Sequence, residues 1–179
     1  MWINITILSL VTLQRLVELY IAHRNTKRLL ARGGVEMGSN HYPFIVLLHT
    51  AWLLGLWYLV LYRAPTVSMS WIFAYLVLEA ARGWIIAALG NRWTTRIIVV
   101  PGETLVGEGP YRFFRHPNYM VVAGEIFILP MAFGLWWYAV IFGVLNLAVL
   151  WWRIRAEDEA LKPLREGPQP EEPSEPSAP

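Results

Sequence analysis

The chain has 179 residues, of which 56% are hydrophobic and 16% charged, with a formal net charge of +2. Soluble domains are about a quarter charged, and one of this size has no core large enough to hide so much apolar surface. There is no cysteine, which excludes disulfides and thiolate chemistry.

The apolar residues come in blocks of 17 to 21. Trp2–Ala22 is the first. No basic residue precedes it and no small-residue cleavage site follows it, so it is expected to be a span rather than a leader. Tyr42–Tyr62, Trp71–Gly90, Tyr119–Leu135 and Trp136–Trp152 follow. A helix rises about 1.5 Å per residue and the hydrocarbon layer is about 30 Å thick, so roughly 17–25 residues cross it. The last two blocks sit at the short end of that window, with Gly134 and Trp136-Trp137 suited to a tight hairpin turn between them. Residues 91–118 are too long for a simple connector, and Pro101-Gly102 and Gly107–Pro110 mark turns in them. Ile97–Val100 fits a short extended segment against the membrane surface. The tail, 166–179, is rich in proline and glutamate and is expected to be disordered. The expected fold is an all-α integral membrane protein of about five transmembrane helices, with a long cytosolic loop and a C-terminal helix extension. Its parts are three N-terminal helices (1–90), the loop (91–118), a helix hairpin with its extension (119–165) and the tail.

Of 15 Lys and Arg residues, twelve fall on alternating loops: Arg24, Lys27, Arg28 and Arg32, then Arg92, Arg96, Arg112 and Arg115, then Arg153, Arg155, Lys162 and Arg165. The positive-inside rule places those loops in the cytosol and the N-terminus outside. Lipids and a lipophilic small molecule are the expected partners; nucleic acid is not.

A charge at mid-bilayer costs about 2.5–3.5 kcal/mol. Arg15 and Glu18, and Glu79 and Arg82, are each three apart and share a helix face, where each pair can partly neutralise itself. Glu125 has no such local partner and is a candidate substrate contact. His49 reads as a packed histidine. No His/Asp/Glu set has metal-ligand spacing, so no metal is expected.

Three polar stretches gather on the cytosolic side: Gly109-Pro110-Tyr111-Arg112, Arg115-His116-Pro117-Asn118-Tyr119, and Arg153 through Leu161. Pro117 suits the first turn of the fourth span, where its missing N–H costs nothing. That helix start, with Arg115 and His116 just ahead of it, can hold a carboxylate or phosphate. Asn146, Arg153 and Glu157 recur at intervals of seven and four, on one face of the fifth span. An Arg and a Glu one turn apart can bind a zwitterion, or an acid and an amine side by side.

Gly-Pro-Tyr-Arg, then Arg-His-Pro-Asn-Tyr, then Arg153-Ile154 with Glu157-Asp158 and Leu161 resemble the isoprenylcysteine carboxyl methyltransferase family over residues 91–161. Trp93-Thr94-Thr95-Arg96 through Val100-Pro101-Gly102 is most similar to the bacterial branch that O-methylates long-chain alkylpyrones. The resemblance implies S-adenosylmethionine as donor in the cytosolic loop region. It implies cofactor contacts from Glu103, Thr104, Leu105, Val106, Tyr111, His116, Pro117, Asn118, Tyr119 and Glu157. It makes Arg153 the catalytic, substrate-orienting arginine, and it implies a bacterial inner membrane. The substrate contacts expected are Arg153, Arg115 and Glu125. Glu103 stands where the family often has histidine. Residues 109–119 also resemble the NADPH-dependent membrane sterol reductases, but the segment from Arg153 does not. A non-catalytic membrane protein is the third reading.

Overall fold

The computed structural model describes residues 1–166. Five helices carry the fold: α1 (Trp2–Ala31), α2 (Tyr42–Arg63), α3 (Met69–Leu89), α4 (Pro117–Ala132) and α5 (Trp136–Glu166). Large apolar side chains such as Leu13, Leu47, Phe73 and Leu147 point outward along them. That pattern suits a lipid solvent, and the protein is an all-α integral membrane protein.

By length and composition α1, α2, α3 and α5 can each cross a membrane. The block expected to form the fourth span, Tyr119–Leu135, folds as the 16-residue α4. At about 1.5 Å per residue it falls short of the 30 Å layer. Its surroundings account for this: α4 packs mainly on α3 and α5, and Ile126, Leu129, Pro130 and Ala132 are almost fully buried. Neighbouring helices rather than lipid set its length. α1 and α5 both run past their apolar blocks, because Arg, Lys, Leu and Ala keep a helix going once it leaves the apolar layer.

The α4–α5 turn closes as its sequence suggests. Leu135 N–H donates to Pro130 O and Gly134 N–H to Met131 O, each at 3.0 Å, with Gly134 at φ +67°. This is the glycine-terminated helix end in which only a residue without Cβ sits unstrained. Gly134→Ala is expected to cost about 1 kcal/mol, because the left-handed conformation penalises a Cβ; unfolding in mixed micelles measures it.

One core joins Leu8 and Val11 of α1, Trp52 and Leu56 of α2, Tyr75 of α3, Ile126 and Leu129 of α4 and Tyr138 of α5. Tyr138 donates to Trp52 O at 2.7 Å, and Trp52 Nε1 donates to Ile126 O at 3.2 Å. Gly55 permits this approach, since a Cβ there would lie 2.5 Å from the Tyr138 hydroxyl.

At the opposite, basic end the loops are not free. Val35–Met37 (β1) pairs antiparallel with Ile97–Val99 (β2), Glu36 opposite Ile98. The extended stretch expected at Ile97–Val100 is therefore real, and β1 is an addition. Arg96 donates to Glu36 at 2.7 Å across this pair. That bond raises the Arg96 pKa and keeps the guanidinium charged. Short 3-10 turns at Ser39–His41, Gly90–Arg92 and Gly109–Arg112 complete this end. The proposed tail lies outside the described residues, except for Glu166 at the end of α5.

Candidate active site

The basic end of the bundle holds a cavity of about 310 Å³. Leu29 of α1 and Leu89 of α3 touch it, and most of its wall comes from four other segments. The loop after α3 supplies Trp93, Thr94, Arg96 to Val100 and Glu103 to Val106; the turn before α4 supplies Tyr111, Arg115 and His116; α4 supplies Asn118 and Tyr119; and α5 supplies Arg153, Glu157 and Leu161. Thus nearly every residue implied for cofactor contact lines one chamber. Pro117 does not; it is buried as the first residue of α4, where it shapes the helix start.

Tyr119 is the hub. Its hydroxyl is hydrogen-bonded to the Glu157 carboxylate, and Arg153 Nε donates to the same oxygen at 2.9 Å. The Arg153 guanidinium also lies 5.4 Å above the Tyr119 ring, and the His116 ring stacks on it at 5.6 Å. Arg153 Nη2 donates to Thr95 O at 2.8 Å, tying α5 to the loop. Arg153 is 7% exposed, and no carboxylate forms a salt bridge with it among the described residues. Its hydrogen-bond acceptors are neutral oxygens, which orient the cation without cancelling its charge.

Several polar atoms around the cavity have no hydrogen-bond partner among the described residues: Trp93 Nε1, both ring nitrogens of His116, and Asn118 Oδ1. His116 Nε2 does lie 3.3 Å from Asp158 Oδ1, within ion-pair reach but outside hydrogen-bond geometry. Buried polar groups are normally satisfied, and leaving one unpaired costs about 1–3 kcal/mol. A ligand with its own donors and acceptors would remove that cost. Burial, together with the neighbouring Glu157 carboxylate, pushes the Tyr111 hydroxyl above its usual range, so it stays a proton donor.

Three residues have partners that the sequence did not indicate. Arg115 is largely exposed and lies 3.5 Å from Asp158, so its charge is already engaged. Glu103 is gripped by Arg32 and, at 3.2 Å, by Arg92. Its carboxylate thus clamps the loop to α1, while its place in the cavity wall remains. Glu125 does not line the cavity, and though it has no partner in its own helix its carboxylate is paired across helices. Arg82 Nε donates to Glu125 Oε1 at 2.7 Å and Nη2 to Oε2, while Arg15 lies 2.9 Å away. Arg15 pairs with Glu18 inside α1 at 2.6 Å, but Arg82 turns from Glu79 toward α4. Asn146, on the Arg153 face of α5, is 1% exposed and lies outside the cavity wall; neither amide atom has a partner among the described residues.

Sequence reasoning missed Arg92, the Trp93 indole, the Thr95 carbonyl and the apolar wall of β2. The available signals were the length of the 91–118 loop, the extended character of Ile97–Val100 and the resemblance carried by Trp93 to Arg96. Asn25 of α1 was also missed. It is 3% exposed and donates to Gly90 O at 3.2 Å and Trp93 O at 2.9 Å, holding Trp93 in the wall.

The chain is 37% identical to the uncharacterized protein YpbQ of Bacillus subtilis over 164 residues, covering 90% of this chain and 96% of that one. It is 24% identical to an uncharacterized protein of Haemophilus influenzae over 176 residues, covering 92% and 97%. No solved structure matches. The model of the isoprenylcysteine carboxyl methyltransferase family matches residues 71–163, which hold α3, the loop, α4 and nearly all of α5. With most of the cavity wall inside that match, the chain belongs to the isoprenylcysteine carboxyl methyltransferase family of membrane methyltransferases.

Proposed function

We propose that this protein is an S-adenosylmethionine-dependent O-methyltransferase of the bacterial inner membrane. Its acceptor is a lipophilic molecule with an acidic oxygen, either a prenylcysteine-type carboxylate or the hydroxyl of a long-chain alkylpyrone. The basic end faces the cytosol and the N-terminus lies outside, as the distribution of Lys and Arg favours. The observation that carries this reading is Arg153: a buried cation held by neutral oxygens in the wall of a chamber formed by α4, α5 and the loop.

The donor fits the residues present. The volume of about 310 Å³ lies at the small end of the 300–1,000 Å³ usual for ligand sites. Trp93, His116 and Asn118 offer unpaired polar atoms to a molecule with hydroxyl, amino and carboxylate groups. Glu157, though bonded to Tyr119, has a second oxygen to accept from hydroxyls or an ammonium. When bound, the donor would supply an electrophilic methyl group on a sulfonium, with the neutral S-adenosylhomocysteine thioether as leaving group.

The protein's own residues do the rest. Arg153 holds the acceptor oxygen as an anion and aims it. A carboxylate of pKa about 3.5 is ionised at neutral pH and needs no base, and a hydroxypyrone behaves as a vinylogous acid. A phenol with pKa about 10 would need a base, for which His116 is the candidate in the chamber wall. Alignment of two bound reactants can contribute about 7–11 kcal/mol. The apolar side chains of Ile97 and Val99 in the wall exclude water from the anion.

Glu157→Gln is expected to raise the donor KM at least tenfold and leave folding intact, because a charged acceptor becomes a neutral one. Transfer of tritium from labelled donor into a lipid extract of cells making the acceptor measures it. No transfer by the unaltered protein to either acceptor class would sink the proposal, and an unchanged donor KM in the variant would remove Glu157 from the site.

A further inference from the structure

A second cavity, of about 410 Å³, opens between α1 and α3 and shares no lining residue with the first. Its walls are apolar, including Leu10, Leu13, Val17 and Ile86. Its polar lining is Gln14, Glu18, Glu79 and Arg82, set midway along two helices long enough to cross the membrane. Gly83 leaves it open: a Cβ there would meet nothing within 4 Å.

The charges beneath this groove do not balance. Two arginines, Arg15 and Arg82, face three glutamates, Glu18, Glu79 and Glu125. The geometry shows which carboxylate is in excess. Glu125 takes Arg82 through two N–H groups, and Glu18 takes Arg15 at 2.6 Å. Glu79 is left with the already-shared Arg15 at 3.3 Å and two neutral partners, the Gln14 amide and the Tyr75 hydroxyl. Its side chain is 15% exposed, into the groove. Lipid tails do not solvate the exposed edge of that carboxylate, and an occupant that brings a polar group to it would. A second copy laid groove to groove would set two only partly compensated carboxylates together and add repulsion. A cation on an apolar body meets both the walls and the charge.

We infer that the groove between α1 and α3 is a binding site for a lipophilic amine, with Glu79 as counter-ion to its ammonium group. This goes beyond the methyl-transfer reading and stands or falls without it. Gln14 and Arg15 position the Glu79 carboxylate, and Leu10, Leu13, Val17 and Ile86 take the chain of the ligand.

Tritiated dodecylamine is titrated into the full-length protein in nanodiscs of phosphatidylcholine, which has no primary amine. Dodecanol serves as the uncharged competitor. Saturable binding of one amine per chain is expected, with dodecanol a poor competitor. Glu79→Gln is expected to weaken binding at least tenfold, as loss of a charge-assisted hydrogen bond does. Gly83→Leu, which fills the groove and changes no charge, is expected to abolish saturable binding; it decides the matter if Glu79→Gln does not fold. Equal competition by dodecanol, undiminished binding in Gly83→Leu, or undiminished binding in a folded Glu79→Gln each overturns the proposal. So does a dimer that depends on Glu79, because the groove would then hold a second copy.

Discussion

Arg153→Ala is expected to reduce methyl transfer about a hundred- to a thousandfold, the usual cost of removing one preorganised group that stabilises charge, while the protein still folds. The guanidinium contributes more than charge. Its bonds to Tyr119 and Thr95 hold α5, α4 and the 91–118 loop in one arrangement. Arg153→Lys separates the two roles. A lysine keeps the cation but, as a point charge, cannot bond two fixed oxygens with the geometry of a planar fork. It is expected to recover only part of the rate, with the defect in kcat rather than in the donor KM. Tritium transfer with purified protein in nanodiscs measures both. A rate within threefold of the unaltered protein for Arg153→Ala would show that the acceptor anion is held elsewhere.

The largest effect on stability is expected at Arg82. Arg82→Leu leaves three glutamates facing only Arg15 inside the membrane. Breaking a buried ion pair by removing one partner costs about 3–5 kcal/mol. Glu125→Leu is expected to cost less, because Arg82 already lies 3.6 Å from Glu18 and can turn to it. The double variant, Arg82→Leu with Glu125→Leu, is expected to recover most of the loss, since two apolar residues replacing a buried pair are often neutral. Unfolding midpoints in mixed micelles for the two single variants and the double variant give the coupling directly. If Arg82→Leu is no worse than Glu125→Leu, the charge imbalance under the α1–α3 groove is not what the geometry implies.

Amino-acid order by itself determined the class of the fold, the gathering of basic residues at one end and the stretches that build the chamber. These are local properties: the length of an apolar run decides whether a helix can live in lipid, and the turn at Gly134 is read from a few neighbouring residues. Only the tertiary structure decided the partners. Arg82 finds Glu125 across 43 residues, and Arg153 finds Thr95 across 58. β1 pairs with β2, and Glu103 is claimed by Arg32 and Arg92. The physical reason is that a pairing between helices depends on how each turns about its own axis and how deep it sits against its neighbours. Each helix of an all-apolar bundle shows nearly the same hydrophobicity on every face, so its sequence carries no strong mark of which face turns inward. That choice falls to packing and to the few charges that have to meet.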